Sequence, residues 1–382
     1  MRTTLSAKTL ITADEVIDRP LITVEDQQIF SISTRDAQEA TAVIYNYPDA
    51  TVTAGFLDVH IHGAAGYDVM EANGPALDTV SAYLARTGVT SYLATTVTAS
   101  LENTFRALEG MADCIDRPPS EVGARVLGIH IEGPFLSHAK KGMHPAEFLV
   151  RPSIALLNRF WEISRGHLRM MTIAPELPGA LEAIARAKEL GIRCSLGHSN
   201  ATKAEAVAAI EAGATTATHT FNAMRPLDHR EPGLLGTVLD RDDLFADLIC
   251  DGLHVAPEAV RLWFKTKGPR KGILITDCLE AAGMPDGVYK LGQTRIRLQN
   301  GACTTDAGVL AGSVIMLDQA VANLQRFTGT NLATAARMAS ANPARMLGFD
   351  DRLAPGAEAN FNLFDGAGTR IATMLRGRLH VR

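Results

Sequence analysis

Residues 55–63 read GFLDVHIHG, an apolar run between two glycines that closes on His60-Ile61-His62. In an extended strand, residues i and i+2 point to the same side, so the two imidazoles share a face and can meet at one point. Seven later stretches have the same short apolar or β-branched texture: Ser91–Val97, Val126–Ile131, Met170–Ala174, Arg193–Gly197, Thr215–Thr220, Leu244–Cys250 and Gly272–Thr276. Between them lie stretches in which Ala, Leu and Ile recur at helical spacing, among them Ala76–Arg86, Leu101–Ile115, Gly179–Leu190 and Ala201–Ala212, the last expected to be capped by Ser199 or Asn200. Alternating strands and helices lay down a parallel sheet, and eight such units predict an α/β fold of the closed (β/α)8 TIM-barrel type.

Outside this rhythm the texture changes. The N-terminal segments LITVEDQQIFSIS (21–33) and AVIYNYP (42–48) read as short strands and turns, as do NFNLF (360–364) and TRIATMLRGRLHVR (369–382). This predicts a second, small β-sandwich domain built from both chain ends, residues 1–54 and 351–382, around a barrel at 55–350. Residues 287–312 alternate apolar and polar positions about Asn300-Gly301, which predicts a hairpin inserted after the eighth strand.

Composition narrows the function classes. Of 382 residues, 46% are hydrophobic and 21% charged, so a large core can be buried and disorder is not indicated. A net charge of −5 without a long basic run argues against a nucleic-acid partner. The five cysteines are scattered and form no C-x-x-C pair, against a disulfide framework or thiolate zinc site. With no signal-like start and no apolar stretch long enough to span a bilayer, the expectation is a cytoplasmic protein without a membrane partner.

Active sites of such barrels form at the C-terminal ends of the strands. Here those ends carry His60 and His62, then Glu132, His198, His219 and Asp277. Taken singly, each has an ordinary structural explanation: a turn-packing or hydrogen-bonded histidine, a solvated glutamate, an aspartate capping a helix. Independent accidents would rarely choose one face, and imidazole plus carboxylate without thiolate suits Zn²⁺, Fe²⁺ or Mn²⁺ with a position open for water. Metal-assisted hydrolysis is the expected reaction class.

The segments GFLDVHIHG, HIEGPFL, KKGMH, TIAPE, GHSNAT, THTFNAM, REPGLLG, DGLHV, TDCLEAAG, GVLAGS and NPAR, running from about Thr53 to Asn360, resemble the N-acetylglucosamine-6-phosphate deacetylases of the amidohydrolase superfamily. The resemblance implies Glu132, His198 and His219 as ligands of a principal metal. It implies a second ion where His60 and His62 are retained, Glu132 then bridging the two; occupancy by one or two ions stays open. It further implies Asp277 as general base and acid, and His144 as a hydrogen-bond donor to the acetamide oxyanion. Asn222, the Ala223 backbone N–H, Arg230 and His254 are implied at the phosphate, with Arg230 and His254 arriving from the neighbouring subunit of a homodimer. Cys278 beside Asp277, followed by Leu279 and Glu280, departs from the family's small residues and leaves pocket shape and thiol sensitivity open.

The implied reaction is deacetylation of N-acetyl-D-glucosamine 6-phosphate. Its galactosamine epimer is the near alternative. A cyclic-amide hydrolase lacks support because no bridging lysine is evident, and a sugar-phosphate sensor would require loss of metal or proton-transfer residues that are all present.

Overall fold

The computed structural model describes residues 2–13, 15–34, 45–118, 120–292, 294–349 and 353–381. The eight barrel strands are Phe56–Ile61, Val89–Thr96, Arg125–Glu132, Leu168–Ile173, Arg193–Leu196, Ala214–Ala217, Ala246–Ile249 and Gly272–Ile275. The first six pair side by side and in parallel, and the last two form a parallel pair. Backbone hydrogen bonds stitch that pair to both edges of the larger sheet. On one side Ala217 N–H donates to Phe245 O (3.1 Å) and Phe245 N–H to Thr215 O (3.0 Å); on the other Asp277 N–H donates to His60 O and His62 N–H to Cys278 O, both at 2.9 Å. The barrel is closed as predicted, and every residue of its first strand is buried because helices cover its outside.

The later strands stop short of the predicted ends. Thr215–Thr220 becomes Ala214–Ala217, and the fifth and eighth strands end at Leu196 and Ile275, because His198, His219 and Asp277 turn the chain with φ of 48°, 30° and 49°. The helix predicted at Ala201–Ala212 starts at Lys203 and is capped by Thr202, not by Ser199 or Asn200. Thr202 Oγ1 accepts from Glu205 N–H while the Glu205 carboxylate accepts from Thr202 N–H, a reciprocal capping box. Ser199 and Asn200 are engaged elsewhere: the Ser199 hydroxyl and the Asn200 N–H each donate to Glu176 at 2.7 Å.

The chain ends build one eight-stranded sheet. N-terminal strand Tyr45–Ala54 takes C-terminal strand Phe361–Phe364 antiparallel against it, and Leu5, Leu10, Ile22, Val52, Phe361 and Met374 form a core separate from that of the barrel. Residues 42–44 of the predicted AVIYNYP strand and the predicted border at 350/351 lie outside the described residues. The insertion after the eighth strand is larger than a hairpin: Gly287–Leu291, Thr294–Gln299 and Ala302–Thr305 form a three-stranded antiparallel sheet. Asn300 and Gly301 turn its second hairpin with φ of 51° and 78°, the left-handed pair that an Asn-Gly turn accepts. No helix among the described residues is long and apolar enough to cross a membrane.

Candidate active site

Strand ends bring six groups to one point. His60 and His62 project from one side of the first strand, their Nε2 atoms 3.2 Å apart. Gly63, which follows, leaves no room for a side chain, since a Cβ there would collide with Tyr67 O. Glu132 closes the third strand and faces both halves of the cluster. Its Oε2 lies 3.4 Å from His60 Nε2 and 3.2 Å from His62 Nε2; its Oε1 lies 3.3 Å from His198 Nε2 and 3.2 Å from His219 Nε2. Asp277 Oδ1 completes the first set, 3.4 Å from His60 Nε2 and 3.1 Å from His62 Nε2. Thus His60, His62 and Asp277 form one compact triad of donor atoms, and Glu132, His198 and His219 another, all buried.

The far nitrogens of the rings fix their tautomers. Nδ1–H of His62 donates to Thr95 O (3.1 Å), that of His198 to Lys140 O (2.9 Å) and that of His219 to Asn222 O (3.2 Å). Each ring therefore aims an Nε2 lone pair at the centre, the arrangement in which imidazole ligates metal. His144 is set the other way. Its Nδ1 accepts from the Thr98 backbone N–H (3.3 Å) and lies 2.9 Å from the Thr98 hydroxyl, so its proton sits on Nε2, 3.5 Å from Glu132 Oε2. Burial pushes His144 down to about 4, which keeps it a neutral Nε2–H donor.

Among the described residues the ion-pair partners of Glu132 and Asp277 are all histidines. Burial alone would raise both carboxyls; instead, the surrounding imidazoles hold Glu132 well below the usual range and bring Asp277 down to about 2. The reciprocal effect overcomes burial at the rings: Asp277 and Glu132 push His62 up to about 10, and Glu132 pushes His219 up to about 9. Both carboxylates thus favour positive charge beside them, at His62 and His219. A divalent ion meets the same demand through lone pairs already aimed inward, so the donor set fits a borderline metal.

The cluster opens into a cavity of about 380 Å³ whose wall includes His144, Asn222, Ala223 and His254, with Leu291 from the inserted sheet and Leu310 from the segment that follows it. Two of the residues expected at the phosphate part company here. His254 lines the cavity of its own chain, whereas Arg230 is exposed and outside the lining. Cys278 is fully buried, its thiol 3.2 Å from Gly63 O, and burial pushes that thiol well above its ordinary range, so it is shielded from thiolate chemistry.

Three supporting residues escape a reading of the sequence: Thr98, which sets His144; Asp247, which accepts the His219 backbone N–H; and Asp251, which accepts from His254. The one available signal is Asp247, an acid within the apolar run LFADLIC.

A cluster of groups that could hold metal, at the mouth of a closed barrel, fits a metal-dependent hydrolase class, and comparison narrows it. The amidohydrolase family profile matches residues 51–379. The N-acetylglucosamine-6-phosphate deacetylase of Bacillus subtilis (strain 168) is 36% identical over 97% of this chain and 95% of its own. The N-acetylgalactosamine-6-phosphate deacetylase of Escherichia coli O157:H7 is 39% identical over 94% of each. Among solved structures, a mutant N-acetyl-D-glucosamine-6-phosphate deacetylase from Mycobacterium smegmatis in complex with N-acetyl-D-glucosamine-6-phosphate superposes with a TM-score of 0.94 at 34% identity, covering 100% of both chains. The chain belongs to the amidohydrolase family and, within it, to the N-acetylglucosamine-6-phosphate deacetylases.

Proposed function

We propose that this protein hydrolyses the acetamide of N-acetyl-D-glucosamine 6-phosphate, releasing D-glucosamine 6-phosphate and acetate. One observation carries the reading: a buried carboxylate, Asp277, and a neutral imidazole N–H, that of His144, converge on the same six-donor cluster beside a cavity of ligand size. Glu132, His198 and His219 would hold the principal ion, and His60, His62 and Asp277 a second, with one Glu132 oxygen facing each set. Zn²⁺ is the ion this donor set suits best, and Fe²⁺ and Mn²⁺ accept the same donors. Such an ion, when bound, polarises the amide carbonyl and makes water acidic enough to react at neutral pH.

The chain's own groups handle the protons. Asp277, ionised in its imidazole surroundings, takes a proton from the attacking water and returns it to the amine nitrogen as the C–N bond breaks. His144 donates its Nε2–H to the carbonyl oxygen as negative charge develops there. Asn222, the Ala223 backbone N–H and His254 receive the sugar phosphate within one chain. Arg230, exposed and off the cavity, would reach the phosphate of a neighbouring subunit in a homodimer, where its forked donors suit an oxygen-rich anion. The cytoplasmic setting and the domain borders at 54/55 and 350/351 belong to the same proposal; five cysteines, all unpaired, agree with a reducing compartment.

The E. coli O157:H7 relative favours one second reading, the galactosamine epimer, which differs in a single hydroxyl. The deciding measurement is acetate release by metal-loaded protein from N-acetylglucosamine 6-phosphate, N-acetylgalactosamine 6-phosphate and unphosphorylated N-acetylglucosamine. Turnover fastest on the first is expected. Preference for the second would reassign the epimer, and no release from any, with metal bound, would overturn the reading.

A further inference from the structure

The segment after the seventh strand pairs His254, placed above at the sugar phosphate, with a carboxylate, Asp251, that no step above uses. Asp251 Oδ1 accepts the backbone N–H groups of Leu253 and His254, both at 2.8 Å, and its Oδ2 accepts Nδ1–H of His254 at 2.6 Å. Gly252, at φ 81°, makes the tight turn that lets residues 253 and 254 fold back onto the carboxylate. Both side chains are enclosed, 10% and 7% exposed. Burial would raise the Asp251 carboxyl, yet His254 and the two N–H groups bring it below its ordinary value, so it stays ionised.

The ring is thereby fixed at one end. Nδ1 is committed to Asp251, while Nε2 has no hydrogen-bond partner among the described residues and belongs to a ring that lines the active-site cavity. An imidazole held in this way can carry a second proton between two negative groups, the aspartate behind it and an anion in front. A neutral amide in the aspartate's place would instead donate to Nδ1, moving the single proton to Nε2 and removing the charge.

We propose that Asp251 is a positioning residue for substrate binding, holding His254 with Nδ1 protonated so that Nε2 meets the anionic end of the sugar phosphate as a charged donor. The inference rests on the deacetylase reading for the identity of the anion, but the state of the His254 ring does not. Asp251 has no place in the bond-breaking steps, so its effect falls on binding.

The test has two readouts. In zinc-loaded protein carrying ¹⁵N-histidine, with His254 assigned by the signal lost in His254→Gln, the wild-type ring should show a protonated Nδ1, and Asp251→Asn should move the proton to Nε2. In acetate-release kinetics Asp251→Asn should raise KM for N-acetylglucosamine 6-phosphate about tenfold, the difference between a charged and a neutral hydrogen bond, with kcat changed less than about twofold. A wild-type ring protonated only on Nε2 would overturn the proposal even if the variant fails to fold. An unchanged KM, or a loss confined to kcat, would also overturn it. If wild-type enzyme releases no acetate, the deacetylase reading falls while the ring's state still decides the role of Asp251.

Discussion

By the backbone that places them, the six candidate metal ligands fall into two halves built by opposite means. His60, His62 and Glu132 sit on or directly after strands of ordinary backbone, where alternation alone points the side chains inward. His198, His219 and Asp277 each lie two residues beyond a strand end, at left-handed φ of 48°, 30° and 49°. A non-glycine residue in that region costs on the order of 1 kcal/mol, so each of these corners needs outside support. Asp277 gets it from the first strand and from the far side of the insertion: its N–H donates to His60 O, and its own carbonyl accepts Ser313 N–H at 2.8 Å. His219 gets it from the seventh strand, where Asp247 Oδ1 accepts its backbone N–H. The half that follows from local sequence is inexpensive, and the half placed by tertiary contacts is the one that positions the proposed base.

The largest effect expected from this contrast is on chemistry. Asp277→Asn keeps the shape and the corner but removes the proton acceptor, so turnover should fall by about a thousandfold or more, within the range for loss of a general base. The ion held by Glu132, His198 and His219 should remain, as elemental analysis of the purified variant would show. Near-normal turnover would take Asp277 out of the mechanism.

Arg230 belongs to neither half, and its substitution separates binding from chemistry. Arg230→Ala should raise KM for the phosphorylated sugar roughly ten- to a hundredfold through loss of a charge-assisted contact, with kcat little changed. Mixing Arg230→Ala subunits with Asp277→Asn subunits sharpens the point. If Arg230 acts across a dimer, a hybrid contains one site with both groups intact, and activity should return on mixing. Without recovery, the exposed arginine is confined to its own chain.

Much of this arrangement is legible in the amino-acid sequence. The barrel can be read because eight apolar runs alternate with helical stretches, and the candidate ligands because each closes such a run. Apolar texture overshoots the strand ends where His198, His219 and Asp277 turn the chain, since only neighbouring strands and the insertion make a left-handed corner tolerable there. For the same reason the roles of Thr98 and Asp251 stay hidden: each acts through a histidine, and for Thr98 that histidine is 46 residues away in sequence. Arg230 draws notice only through its REPG segment, and a single chain leaves it outside the cavity.

The support beneath His219 can be removed directly. Asp247 is fully buried, and burial pushes its carboxyl up to about 8, so at neutral pH it is substantially protonated and still accepts the His219 N–H. Asp247→Ala would leave that buried N–H unpaired, at a cost of about 1–3 kcal/mol, and should lower both thermal stability and metal content. Asp247→Asn keeps the acceptor and should be far milder. Equal behaviour of the two variants, measured by thermal melting and metal analysis, would show that the His219 corner does not depend on the acceptor.

The smallest effect on the fold is expected on the other side of the comparison, where nothing is strained. His60→Ala and His62→Ala each remove one Nε2 lone pair from a strand end whose backbone is held without it, by His62 N–H to Cys278 O at 2.9 Å and Ile61 N–H to the Thr95 hydroxyl at 3.0 Å. If each chain holds two ions, either variant should drop the metal content toward one per chain and leave the set around His198 and His219 occupied, with the melting temperature of the single-ion form changed little. Were the stoichiometry to stay the same, His60 and His62 would be packing residues and Glu132 would serve one ion alone. A collapse of all metal binding would instead mean that the two sets of donors are coupled through Glu132, whose Oε2 faces His60 and His62 and whose Oε1 faces His198 and His219.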